Sequence, residues 1–85
     1  MVIKMGDVAI RFRIMPEQPG QGLEKIKVHI VKMGAKEVRE REIGFGIKFL
    51  DVLFVVPDEE GPSMEDKIKK LEGVGSVETE GVTLI

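Results

Sequence analysis

From Asp7 to Pro16 apolar and polar positions alternate: Val8, Ile10, Phe12 and Ile14 share one face, with Asp7, Ala9, Arg11 and Arg13 on the other. A period of two predicts a half-buried strand, and Pro16 ends it. Glu17 to Gly22 holds two glycines and a proline and reads as a loop. The period then lengthens. Leu23, Ile26, Ile30 and Met33 recur at helical spacing, and Gly34 is placed to cap a helix over 23–33 at its C-terminus. No Ser, Thr, Asp or Asn stands at its start to cap the N-terminus. Ala35 to Glu42 is heavily charged, with Val38 its only larger apolar residue, which predicts an exposed edge strand whose charges discourage pairing with other chains.

The chain is organised around Ile47 to Val56, ten residues with only Lys48 and Asp51 charged. A run so rich in β-branched and aromatic side chains predicts the central strand of a small sheet. Gly44 and Gly46 punctuate its start and Pro57 closes it. Asp58 to Pro62 is a turn, Ser63 and Asp66 have capping-box spacing, and Met64, Ile68 and Leu71 predict a helix over 64–72 stopped by Gly73. Val74, Val77, Val82, Leu84 and Ile85 form a last strand, interrupted by Gly81.

The order β-α-β-β-α-β predicts an α+β fold, a ferredoxin-like sandwich. Its four-stranded antiparallel sheet has the first and third strands central and two helices on one face. Leu50, Val52, Phe54 and Val56 then lie under the helices, while Phe49, Leu53 and Val55 fall on the open face. Two readings follow: Arg11 and Arg13 cover those three residues, or the open face is a surface for a partner or for weak self-association.

With 85 residues the chain is read as one domain over 1–85, residues 1–4 being an N-terminal extension that either lengthens the first strand or forms a disordered tail, with Met1 and Met5 both candidate initiators. So short a chain buries roughly 60% of its unfolded surface, which argues against a large pocket. Formal net charge is -2, so phosphate-backbone binding is a poor fit and no direct nucleic-acid partner is expected. Cysteine is absent, which excludes disulfides and thiolate chemistry. No apolar run approaches the ~20 residues that span a bilayer, and no leader is recognisable, so a cytoplasmic protein with no membrane partner is expected. The missing asparagine and the 33% charged residues match a hyperthermophile bias.

Candidate chemistry is sparse. His29, the sole histidine, flanks the first helix as a solvated residue, and one histidine cannot form a multi-histidine metal site. Asp58-Glu59-Glu60 lacks the alternating spacing of a calcium loop and reads as a charged turn before a helix N-terminus. Gly44-Phe45-Gly46 has no following Lys-Ser/Thr and is no phosphate loop. It is either a hairpin turn with a core phenylalanine or an aromatic held out by two glycines as a contact. No acid, base or nucleophile pairing is visible, so the chain reads as a non-enzyme with no metal and no cofactor.

Met5-Gly-Asp-Val8, Ile14-Met-Pro-Glu17, Ile43-Gly-Phe-Gly-Ile-Lys48 and Val55-Val-Pro-Asp-Glu-Glu-Gly61 together resemble the archaeal elongation factor 1-beta family. The resemblance runs in order from Met5 to the C-terminus. It implies a ferredoxin-like domain that promotes exchange of GDP for GTP on the GTPase elongation factor 1-alpha, by stabilising its nucleotide-free state. It further implies GTPase contacts at Gly44, Phe45, Gly46 and Lys48 and at Thr83, Leu84 and Ile85. In the family a basic residue near the C-terminus is implied to disturb the magnesium site, whereas this sequence reads Gly81-Val-Thr-Leu-Ile85 there. Two other classes share the element order: a small-molecule regulatory module of the ACT type, and an RNA-binding ferredoxin-like domain. The second needs stacking aromatics on the open face, where only Phe49 qualifies.

Overall fold

The computed structural model describes residues 6–18 and 22–84; residues 1–5, with both candidate start methionines, and Ile85 lie outside them. The elements are β1 (Asp7–Pro16), α1 (Leu23–Lys32), β2 (Glu37–Gly44), β3 (Ile47–Pro57), a 3₁₀ turn (Asp58–Glu60), α2 (Gly61–Lys69) and β4 (Val74–Leu84). The strands form one antiparallel sheet in the order β2-β3-β1-β4, so the first and third strands are central as their composition predicts.

Burial follows the alternation. Val8, Ile10, Phe12 and Ile14 of β1 and Leu50, Val52 and Phe54 of β3 meet Ile26 and Ile30 of α1 and Met64 and Ile68 of α2 in one core. Val56 and Val38 pack at its margin. Phe12 and Phe54 sit edge to face at its centre, with centroids 6.1 Å apart, a geometry that adds about 1 kcal/mol beyond area burial. Both helices thus cover the same face. Among the described residues none of the helices is long and apolar enough to cross a membrane.

Local signals explain the boundaries, including those that differ from expectation. α1 begins at Leu23 behind a left-handed Gly22 with no side-chain cap, and it ends at Lys32, with Met33 as its C-cap and Gly34 left-handed behind it. β2 starts at Glu37 rather than 35. The second helix runs from Gly61 to Lys69, not 64–72. Pro62 is the cause: its fixed φ suits a first helical turn and starts the helix ahead of Ser63. The expected capping box therefore does not form; Ser63 Oγ instead donates to the Glu60 carbonyl oxygen at 2.9 Å. Gly73 stands beyond the helix end and turns the chain into β4. The break expected near Gly81 is a register shift, in which Arg11 faces Gly81, Phe12 faces Thr79 and Glu80 is the extra residue.

Phe54 is 1% exposed and packs edge to face on Phe12. Phe54→Ala should lower unfolding free energy by roughly 3–5 kcal/mol in urea titration. A loss below ~1 kcal/mol would mean that this ring is not the centre of the packing.

Candidate functional site

The β2–β3 connection is the most unusual local structure. Gly44 pairs with Ile47, leaving Phe45-Gly46 as a two-residue turn, and Gly44, Phe45 and Gly46 have φ of 131°, 56° and 76°. Positive φ at both central residues is what a type I′ hairpin requires, because its twist matches the flanking strands. Asn, Asp or Gly normally fills the first of them. A phenylalanine there costs on the order of 1 kcal/mol or more, since its Cβ crowds the backbone. The ring gains nothing in return from this chain: Phe45 is fully exposed. The reading of Phe45 as a core residue is thereby overturned, and the aromatic stands out as a projection.

Its surroundings extend the projection. Between Glu42 and Gly44 the register shifts by one residue, so Ile43 is the extra residue of a bulge, and its side chain is more than half exposed. Lys48 lies one step down the stem, 3.9 Å from Glu40. Below it an open cleft of ≈ 690 Å³ separates the stem from the start of α1, with Glu17, Glu24, Glu40 and Glu72 among its walls against Lys25 and Lys48.

The other predicted contacts lie at the opposite end of the sheet. Leu84 faces Val8, and Val8 faces Val56, nine residues along β3 from Ile47. At ~3.3 Å per residue the two groups are about 30 Å apart. The molecule therefore brings Gly44, Phe45, Gly46 and Lys48 together, and Thr83 and Leu84 together, but not the two sets. Ile85 lies outside the described residues. Leu84 and Val82 are exposed on the helix side of β4, beside a groove of ≈ 290 Å³ floored by Val8, Ile10 and Phe12 and edged by Pro62, Asp58 and Glu65. The groove and its exposed valine were not singled out from sequence.

The open face carries a second feature that the pattern concealed. Asp51 points away from the helices yet is 3% exposed. Arg11 Nη1 donates to its Oδ1 at 3.1 Å and Arg41 Nη1 to its Oδ2 at 3.3 Å, while Arg11 also reaches Glu37 at 3.4 Å. The hydrogen bond to Asp51, then its charge, raises the Arg11 guanidinium above its usual pKa. Arg13 lies over the Phe49 ring, 4.7 Å from the centroid, and bonds Glu80. Arginine cover is thus the correct reading for Phe49, which is buried; Leu53 and Val55 remain half-buried. The clue in the sequence was a lone aspartate in an apolar strand with arginines at alternate positions on either side.

Among the described residues no group of three or more His, Asp or Glu side chains could hold a metal ion. His29 is an exposed helix residue. What the geometry offers is contact surface: an aromatic tip, an apolar corner about 30 Å away, and a rigid sheet between them.

Residues 9–85 match the EF-1 guanine nucleotide exchange domain family. Relatives covering nearly the whole chain are named elongation factor 1-beta. The protein of Thermoplasma acidophilum is 32% identical, with 95% of this chain and 100% of the relative covered. That of Methanoculleus marisnigri is 38% identical over the same shares, and that of Methanosphaerula palustris 38% over 94% and 99%.

Backbone conformation at the tip generates a direct test. Phe45→Asn, a residue that tolerates the left-handed region, should leave stability unchanged or raise it by up to about 1 kcal/mol. Gly46→Ala should lower it by about 1 kcal/mol, although the new methyl meets no atom within 4 Å. Urea midpoints of the two variants decide. A clear loss for Phe45→Asn would show that the ring stabilises the fold.

Proposed function

The chain belongs to the EF-1 guanine nucleotide exchange domain family, and from that premise we propose that it speeds GDP release from the translational GTPase elongation factor 1-alpha in the cytoplasm. The observation that carries the contact assignment is the fully exposed, left-handed Phe45. A side chain that weakens its own turn and buries nothing in its own chain is explained by a pocket on another molecule. Desolvated aromatic anchors dominate protein interfaces, at about 2 kcal/mol or more each.

Exchange needs no acid, base or metal on this chain. The factor binds the nucleotide-free GTPase more tightly than the GDP-bound form, and linkage lowers GDP affinity by the same ratio. Loosening GDP 1000-fold takes about 4 kcal/mol of differential contact, which one aromatic anchor and a modest second contact supply. In this reading Phe45, with Gly44, Gly46 and Lys48, holds one part of the GTPase, and Thr83 and Leu84 hold another about 30 Å away along the sheet. The stiff β1–β3 pair keeps the two contacts at a fixed separation, so a GTPase conformation that matches it is stabilised and others are not.

Release of fluorescent GDP from the GTPase should accelerate saturably with added protein. Phe45→Ala should reduce the second-order rate at least about 30-fold, as an anchor worth 2 kcal/mol or more implies, while its melting curve stays within a few degrees of the parent. An unchanged release rate at saturating protein would remove the exchange reading. Normal exchange by Phe45→Ala would move the contact elsewhere.

A further inference from the structure

The open sheet face holds the chain's whole arginine complement, Arg11, Arg13, Arg39 and Arg41. Strand register arranges part of it in a row. Arg39 of β2 faces Asp51 of β3, Asp51 faces Arg13 of β1, and Arg13 faces Glu78 of β4. Read across the sheet, the row is plus, minus, plus, minus. Asp51 is held by its arginines and Arg13 by Glu80 and Phe49, but among the described residues the outer two, Arg39 and Glu78, make no ion pair. They cannot meet each other, because three strand spacings of ~4.8 Å separate them by about 14 Å.

A row that alternates in sign over an even number of strands is complementary to itself after a half-turn about an axis parallel to the strands. That operation lays β2 of one copy over β4 of the other, and β3 over β1. Arg39 then faces Glu78 of the second copy at both ends of the row, while Asp51 stays buried under Arg11 and Arg41 and Arg13 stays over Phe49, so the middle of the row adds no ion pair between copies. The rows on one side fit as well. Glu37 and Gly81 share a level through Leu53 and Arg11, so the half-turn places Glu37 over a position with no side chain. It also sets Val55 against Ala9, apolar residues that the monomer leaves half-buried. Two identically twisted sheets related this way stay parallel to each other, as in aligned sheet packing.

We propose that the open sheet face binds a second copy of this chain in a symmetric, face-to-face dimer fixed by reciprocal Arg39–Glu78 pairs. Four strands by about six residues give a flat footprint of roughly 400 Å² on each copy, which belongs with weak, reversible interfaces rather than permanent ones. Like-charged rows would have forbidden the same packing. The inference stands on the sheet face and not on the exchange reading: Phe45 and Leu84 lie outside the face, and Thr83, at its corner beside Ala9, is not one of the residues that fix the pairing.

Sedimentation equilibrium between about 10 μM and about 1 mM, the range in which a small interface forms, is the test. The parent mass should rise toward twice the monomer and fall back at high salt. Arg39→Glu and Glu78→Arg each place like charges in contact, so each alone should stay monomeric with an unchanged melting curve. Mixed in equal amounts they should associate again, because each pair is then opposite in sign. A parent that remains monomeric at 1 mM, single variants that associate like the parent, or a mixture that fails to associate would each overturn the dimer. A monomeric parent that bound oligouridylate through Arg39 would assign the face to RNA instead.

Discussion

Everything in this molecule hangs on the shared inward face of β1 and β3. Phe12 and Phe54 lock at its centre, and the side chains beside them receive Ile26 and Ile30 from one helix and Met64 and Ile68 from the other. Two strands of ten and eleven residues joined this way make a stiff bar. β2 and β4 are flank strands on that bar, and the proposed contact features sit where those flanks run out. The hairpin tip lies at one end and the exposed Val82 and Leu84 at the other. A principal extent of 53 Å against 22 and 16 Å is the outcome.

That division of labour separates stability from contact. The core residues are apolar and buried, and their cost of removal is a cavity. Phe45 is the reverse: it sits in a backbone region that favours asparagine or glycine, and it touches nothing in its own chain. In the proposed exchange role the local rule is broken where a partner is contacted, and the surrounding hairpin holds the break in place. The exchange role needs no more chemistry than this, because it acts by binding one state of a partner better than another.

The fold was legible because the two strongest signals, alternation in β1 and the long apolar run of β3, coincide with the strands buried deepest. Helix edges were less so. Pro62 outweighed the Ser63–Asp66 spacing, since a fixed φ acts on the backbone while a capping side chain only adds one hydrogen bond. The hairpin glycines marked a turn but left the phenylalanine between them ambiguous; only its φ and exposure decide that it projects. Asp51 was hidden for a different reason. Its burial depends on Arg11 and Arg41, which are distant in sequence and meet it only through strand register. The separation of the two contact sets also needed register, because positions 45 and 84 gave no indication of which sheet end each would occupy.

The central claim is that a rigid sheet presents two end contacts to one GTPase. Hydrogen exchange of the backbone amides, with and without nucleotide-free elongation factor 1-alpha, tests it most directly. The account predicts slowed exchange at 43–47 and at 82–84 in the complex, since both turn and strand end are open to solvent when free. No change at either end, or protection confined to the middle of the sheet, would contradict it.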